Sequence, residues 1–335
     1  MKTKIVAVGS RADEHVQHVA DELASLGVSL KILDYLETTS STFSTTRGWE
    51  RLEASDFRTG EVEKIDGSEC VFWWRDKYFF DLVHSETQQY QKFASSTKRT
   101  NLLSYFRHSE ARITNSPFKT QEKGGKLFQL RFAESAGFTL PPSIVSSSRT
   151  DILSFAAEHR NVIVKPLQLS IAPPVAADPM SVKYVFTRDV TVEELALTSE
   201  QAIAACPAIY QRKITDRAFE VRMVVFYDQC VAYKNDARGS VESNPDWRIA
   251  FQSKICDRIN PPHSIREAAI RYLSDVGLEA GVFDFIVDDT GQYWFLECNA
   301  NGQWAWLEIG ADTRDISSIF ADGLLRFAAM EEVYG

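Results

Sequence analysis

The chain has 335 residues, 44% of them hydrophobic and 25% charged, an ordinary globular mix that suggests about two domains and rules out disorder throughout. Its 37 basic against 46 acidic residues leave a formal charge of −9, which argues against a nucleic-acid coat or a polybasic membrane patch. Five scattered cysteines (Cys70, Cys206, Cys230, Cys256, Cys298) form no C-x-x-C pair, and the opening apolar run stops at Gly9, too soon for a signal peptide. Ordinary core thiols, no membrane span and a cytoplasmic location are therefore expected.

A short buried strand is expected over 4–8, then a helix over 13–26 carrying Val16, Val19, Ala20 and Leu23, stopped by Gly27, and a second strand over 28–33. The first turn has one glycine only, so the dinucleotide fingerprint is absent and a Rossmann oxidoreductase is excluded. The Ser/Thr-rich segment 38–46 reads as a polar loop, 70–74 as an apolar strand ending at Arg75, and 86–98 as the start of a surface helix. A domain boundary is expected within 112–122.

Gly124-Gly125 precedes a helix carrying Leu127, Leu130, Ala133 and Ala136, closed by Gly137. Thr150 and Asp151 are read as caps of the next helix, which ends before a strand at 161–164. Thr191 with Glu194, and Ser264 with Glu267 after two prolines, read as capping boxes. Residues 220–227 and 230–234 read as antiparallel strands around Asp228-Gln229, and 282–287 with 293–296 as a hairpin turned by 288–291. Such hairpins among helices predict a mixed α+β architecture, not a doubly wound sheet.

The hairpin sets Asp284 against Glu297 and Asn299. Glu297 and Asn299 share a strand face, and a small register adjustment brings Asp284 beside them. Two carboxylates and an amide oxygen make a hard oxygen site suited to Mg²⁺; on the residues alone, hairpin surface carboxylates with salt-bridge partners elsewhere are the commoner account. Lys126 after its glycine pair and Lys165 at a strand end are candidate phosphate contacts, or solvated lysines. Arg222 in an apolar strand requires a counter-charge, from Glu220 or from a ligand. Arg248 also sits among aromatic and apolar residues. The histidines fit no hydrolase pattern, and His15 and His18 read as structural or surface groups.

Taken in order, Lys126, Lys165, the run Gln211-Arg212-Lys213-Ile214, Glu220, Arg222, Arg248, Asp284, Glu297 and Asn299 resemble an ATP-grasp carboxylate ligase. VFWWRDK at 71–77, GGKLFQLRFAESAGFTLPPSIVS at 124–146, VIVKPL at 162–167, DWR at 246–248 and FLECNANGQWAWLE at 295–308 narrow the resemblance to the graspetide (microviridin-type) peptide maturases. It implies an ATP-grasp fold with an amino-terminal α/β (pre-ATP-grasp) domain at 1–114. A central domain at 115–212 would carry the leader-peptide and lid regions, and a carboxy-terminal domain at 213–335 the metal site.

By this resemblance Lys126 and Lys165 hold ATP phosphates, Gln211 to Ile214 run along the adenine largely through backbone groups, and Glu220 serves the ribose or adenine side. Arg222 contacts a phosphate or acyl phosphate, Arg248 steadies the transferring phosphoryl group, and Asp284, Glu297 and Asn299 hold magnesium, two ions in all. Residues 171–180 fall where a cover over the phosphates is expected, and Lys183, Arg188 and Arg217 where an acidic leader would lie. The implied activity is ATP-dependent closure of ω-ester or ω-amide rings on a ribosomal precursor peptide with a leader, by a homodimer. The alternative is a ligase joining a free amino acid or amine to a small acid or a protein or peptide carboxylate.

Overall fold

A computed structural model describes residues 4–36, 41–45, 51–56, 61–66, 69–75, 86–167, 170–172, 183–185, 187–235 and 256–330. The amino-terminal part runs β1 (Lys4–Gly9), α1 (Glu14–Ser25), β2 (Leu30–Asp34), β3 (Ser41–Thr45), β4 (Arg51–Asp56), β5 (Glu61–Asp66), β6 (Cys70–Trp74), α2 (Glu86–His108) and β7 (Arg112–Thr114). Its main sheet is parallel, in the order β2-β1-β6-β7.

The chain continues through α3 (Pro117–Lys123), α4 (Lys126–Ala136), β8 (Ser143–Ser146), α5 (Arg149–His159), β9 (Val162–Pro166), β10 (Ser170–Ala172), β11 (Lys183–Val185), β12 (Arg188–Val190), α6 (Val192–Leu197), α7 (Glu200–Ala204) and β13 (Ala208–Arg212). Here the antiparallel sheet β12-β9-β13-β8 covers α5 and α6, with Ile152, Phe155, Val162, Leu195 and Tyr210 in its core. The last part comprises β14 (Arg217–Phe226), β15 (Gln229–Asn235), β16 (Cys256–Ile259), α8 (His263–Val276), β17 (Ala280–Asp288), β18 (Tyr293–Asn299), α9 (Ala305–Ala311) and α10 (Asp315–Ala329). Its antiparallel sheet has the order β16-β15-β14-β17-β18.

This large sheet is covered on both faces. Val221, Met223, Phe283, Phe285 and Phe295 pack with α4 and α8, while the alternate residues Val224, Phe226 and Val282 pack with α10. The second core does not stop at the sheet: it runs on through Trp304 and Phe320 to Val16, Val19, Ile5 and Trp73 of the amino-terminal part. The mixed α+β expectation holds, and the first and last parts share one apolar interior.

Several local readings are corrected. The segment read as a polar loop contains β3, which pairs with β4 in a three-stranded antiparallel sheet completed by β5; β-branched threonines suit a strand once partners satisfy the backbone. α5 is capped by Ser148 through the Asp151 N–H, two residues before Thr150. α8 starts directly after Pro262, whose extended backbone serves as the cap position, so Ser264 lies inside the first turn and makes no cap bond. The Thr191/Glu194 box is present as read. On α4, Ala133 and Ala136 are buried as read and Leu130 packs against the core, but Leu127 is 47% exposed and Gln129 turns inward. The β14–β15 turn falls at Tyr227-Asp228, one residue early, with Tyr227 at φ 51°. Three of the five cysteines (Cys70, Cys256, Cys298) are buried and Cys230 is half-buried, but Cys206 is exposed. Among the described residues no helix is long and apolar enough to cross a membrane.

The seat of α10 on β14 gives a stability prediction. A Cβ on Gly323 would fall 2.4 Å from a ring carbon of Phe226, which is 1% exposed and cannot swing away. Alanine adds up to about 1 kcal/mol of helix propensity, but overpacking costs about 1–3 kcal/mol. Gly323→Ala should therefore lower stability by roughly 1–2 kcal/mol in urea unfolding, against the direction that propensity alone gives.

Candidate active site

The site is built on one face of the large sheet. Arg222 on β14 pairs across to Asp284 on β17, which pairs in turn with Glu297 on β18. The second pairing depends on a bulge, because Phe285 faces Phe295 while Asp284 faces Glu297, leaving Leu296 as the extra residue. In an unbroken strand residues 295, 297 and 299 share a face. The inserted residue instead lets Phe295 enter the aromatic core while Glu297 and Asn299 lie on the other face with Asp284. This is the register adjustment that the sequence requires and does not fix.

Arg222 Nη1 stands 3.3 Å from Asp284 Oδ1, and Asn299 Nδ2 donates to Glu297 Oε1 at 2.9 Å. Burial pushes the Asp284 carboxyl up to about 7; Arg222 pulls it down, and Glu297 and Glu220 push it further up. A row of crowded, partly desolvated carboxylates favours a cation. Asn299 turns its nitrogen to Glu297, which leaves its amide oxygen for that cation, and the resulting all-oxygen donor set fits Mg²⁺ and no soft metal. Among the described residues no group of three or more His, Cys, Asp or Glu side chains is placed to hold a metal ion, and this set consists of two carboxylates and an amide.

The two lysines approach from the neighbouring elements. Lys126, the first residue of α4, donates to the Pro166 carbonyl at 2.6 Å, and Lys165 of β9 donates to Gln211 Oε1 at 2.7 Å. Alternation explains the second contact: Val162, Val164 and Tyr210 enter the small core, so Lys165 and Gln211 face away from it. Gln211 is 3% exposed and is held from behind by its donation to Ser143 Oγ at 2.8 Å. Burial lowers both lysines, Lys165 to about 8, while Glu297 draws both back up and Lys126 opposes Lys165. Two partly desolvated cations facing a carboxylate row leave room, in charge terms, for an anion and a divalent metal between them.

Other expected residues lie at the margin. Arg212 stacks its guanidinium 5.0 Å from the Trp294 ring centre, and Lys213 reaches Asp189 at 2.8 Å. Their backbone N–H groups are given to the Pro142 and Asn161 carbonyls. Ile214 is buried, and Glu220 accepts from Arg217 Nη1 at 2.6 Å. Arg248 with the rest of 246–248, residues 76–77, the cover segment beyond residue 172 and the Lys183 side chain lie outside the described residues.

Two groups were not found from the sequence. Gln129 accepts the Cys298 N–H at 3.0 Å, between Glu297 and Asn299, and donates to the Gly124 carbonyl at 3.0 Å. It ties the strand of the carboxylates to the helix that begins at Lys126; its only signal is an amide in an otherwise small, apolar helix face. Asn115, at φ 50°, donates to the Ala280 and Ala300 carbonyls and accepts the Glu279 and Ala280 N–H groups.

No family model matches the chain, and no curated protein matches it. Solved structures do. A RiPP-associated ATP-grasp ligase from Chryseobacterium gregarium, in complex with ADP and a leader and core peptide, is 21% identical, with 97% of each chain covered and a TM-score of 0.80. The macrocyclase MdnC from Microcystis aeruginosa MRC, bound with precursor peptide MdnA, is 21% identical over 96% of this chain and 99% of that one, with a TM-score of 0.76. The ATP-grasp ligase PsnB, complexed with a phosphomimetic variant of its minimal precursor, Mg and ADP, is 22% identical over 98% and 99%, with a TM-score of 0.70. The chain thus has the ATP-grasp fold with an amino-terminal α/β domain.

The Lys165 environment has a pH consequence. Its folded value is depressed from 10.5 to about 8, so the burial penalty is fully present below pH 8 and is relieved as pH rises toward 10.5. Lys165→Met should raise apo-protein stability at pH 7 by roughly 1–2 kcal/mol, after loss of the Gln211 bond. The advantage over wild type should shrink between pH 8 and 10.5 in urea titrations run in parallel.

Proposed function

We propose that the chain is an ATP-dependent carboxylate ligase that activates Asp or Glu side chains of a ribosomal precursor peptide and closes them into ω-ester or ω-amide rings. The observation that carries this reading is the meeting of Lys126, Lys165 and Arg222 with the Asp284, Glu297 and Asn299 row. It is supported by a fold matched end to end in ligases, one of whose structures holds ADP with a leader and core peptide.

In this reading residues 1–114, 115–212 and 213–335 are the three working units of a cytoplasmic homodimer. Lys126 and Lys165 bind the phosphate oxygens, and Glu220 with the 211–214 segment holds the nucleoside end. Asp284, Glu297 and Asn299 would hold two magnesium ions, which when bound neutralise charge on the phosphates. A peptide carboxylate is a poor electrophile at neutral pH. Its oxygen takes the γ-phosphoryl group of ATP, releasing ADP and giving an acyl phosphate. Arg222 and Arg248 stabilise the negative charge on the transferring group. A Ser or Thr hydroxyl, or a Lys amine, of the same peptide then attacks the acyl carbon. The C–O bond to phosphate breaks, inorganic phosphate leaves, and the attacking group's proton passes to solvent. Exclusion of water from the cleft favours cyclisation over hydrolysis.

The test is intact mass of the short peptide encoded beside the gene after incubation with the protein, ATP and magnesium. Loss of one water per bond, matched by one ADP, is expected. Asp284→Ala or Glu297→Ala should reduce the rate about a hundredfold or more. A gain equal to an added amino acid would replace ring closure with ligation of a free substrate. ATP turnover only with small acids, the peptide unchanged, would refute the peptide reading.

A further inference from the structure

The backbone that follows Asn299 is held by two side chains of the amino-terminal part, His15 and Arg75, and by Asn115 just after it. Asn115 Nδ2 donates to the Ala300 carbonyl at 2.8 Å. Arg75 Nη1 donates to the Asn301 carbonyl at 2.8 Å and the Gly302 carbonyl at 3.1 Å. His15 Nε2 accepts the Trp304 and Ala305 N–H groups at 2.8 and 3.1 Å. Nε2 is therefore the acceptor nitrogen, and the ring proton on Nδ1 points to Asp13 Oδ1, 2.5 Å away. The other oxygen of Asp13 accepts from Arg75 Nε at 3.2 Å. Gly302 completes the seat: a Cβ there would lie 2.5 Å from Val282 Cβ, and Val282 is the register partner of Asn299.

Arg75 is 2% exposed, and its Nη2 has no hydrogen-bond partner among the described residues. Replacing a buried ion pair by apolar groups is often neutral or stabilising, so stability alone is a weak reason for this one. Geometry is a stronger one, because, Asp13 apart, each side-chain hydrogen bond of Arg75 among the described residues goes to the loop that leaves Asn299, and Arg222 of the site lies within electrostatic reach. We infer that Arg75, backed by Asp13 and His15, is a positioning residue that sets the Glu297–Asn299 end of β18 for magnesium. The amino-terminal domain would thereby control metal-dependent nucleotide binding without touching the nucleotide. This rests on the ligase reading above.

The experiment is calorimetric titration of ADP into the full chain in EDTA and again in Mg²⁺, for wild type, Arg75→Lys and the double variant Arg75→Met/Asp13→Asn. The double variant removes both charges of the Arg75–Asp13 pair and keeps an acceptor for His15. Metal-free ADP affinity is expected to be unchanged in both variants. The magnesium-dependent gain should fall about tenfold or more in the double variant, and less in Arg75→Lys, which keeps a cationic donor. The double variant should melt within about 5 °C of wild type. An undiminished magnesium gain in a folded double variant would overturn the inference and leave the ligase reading standing. So would a double variant that fails to fold, since the clamp is then structural. Absence of ADP binding by wild type itself would instead overturn the ligase reading, and this inference with it.

Discussion

One inserted residue organises the site. With Leu296 accommodated as a bulge, β18 points Phe295 into the aromatic core and Glu297 toward Asp284. A strand without that insertion would have to bury a carboxylate among Phe138, Phe283 and Phe285, or expose a phenylalanine to the cleft. Burying an unpaired carboxylate costs several kcal/mol, and the ring cluster resists repacking. The two preferences are compatible only through the bulge, so the packing of one face fixes the chemistry of the other. Gln129 then holds the Cys298 N–H next to the bulge from outside the sheet.

Charge balance follows from the same geometry. Asp284, Glu297 and Glu220 crowd one face, with Arg222 inserted among them and Lys126 and Lys165 opposite. None of the lysines closes an ion pair with the carboxylate row; their hydrogen bonds go to the Pro166 carbonyl and to Gln211. An arrangement that collapsed into lysine–carboxylate bridges would have no use for a ligand. This one pairs Arg222 with Asp284 but keeps the two lysines apart from the carboxylates at partial burial, which is costly in the empty protein and favourable once phosphates and a divalent cation stand between them.

Much of this was legible in the sequence. The hairpins announced themselves by alternation, and Asp284 and Glu297 stood out as acids in an aromatic hairpin. The bulge did not, because Leu296 is apolar and fits either face. Gln129 stayed hidden because only apolar residues mark a buried helix face, and an amide among Leu130, Ala133 and Ala136 carries no charge to flag it. β3 was missed because Ser/Thr composition describes a loop and an edge strand equally well. Least legible was the clamp on the 300–305 loop. His15 and Ala305 are 290 positions apart, Arg75 and Asn301 226 apart, and no local pattern encodes such pairs. The shared core that runs from Val16 to Phe320 supplies the reason they meet.

The central claim is that the bulged strand end, Asp284 and the two lysines form one metal-nucleotide site. Anomalous diffraction from crystals grown with ADP and Mn²⁺ tests it most directly. Manganese is expected among the side-chain oxygens of Asp284, Glu297 and Asn299, on the sheet face opposite Phe283 and Cys298, with the diphosphate against Lys126 and Lys165. Manganese bound elsewhere, or a diphosphate seated away from both lysines, would contradict it.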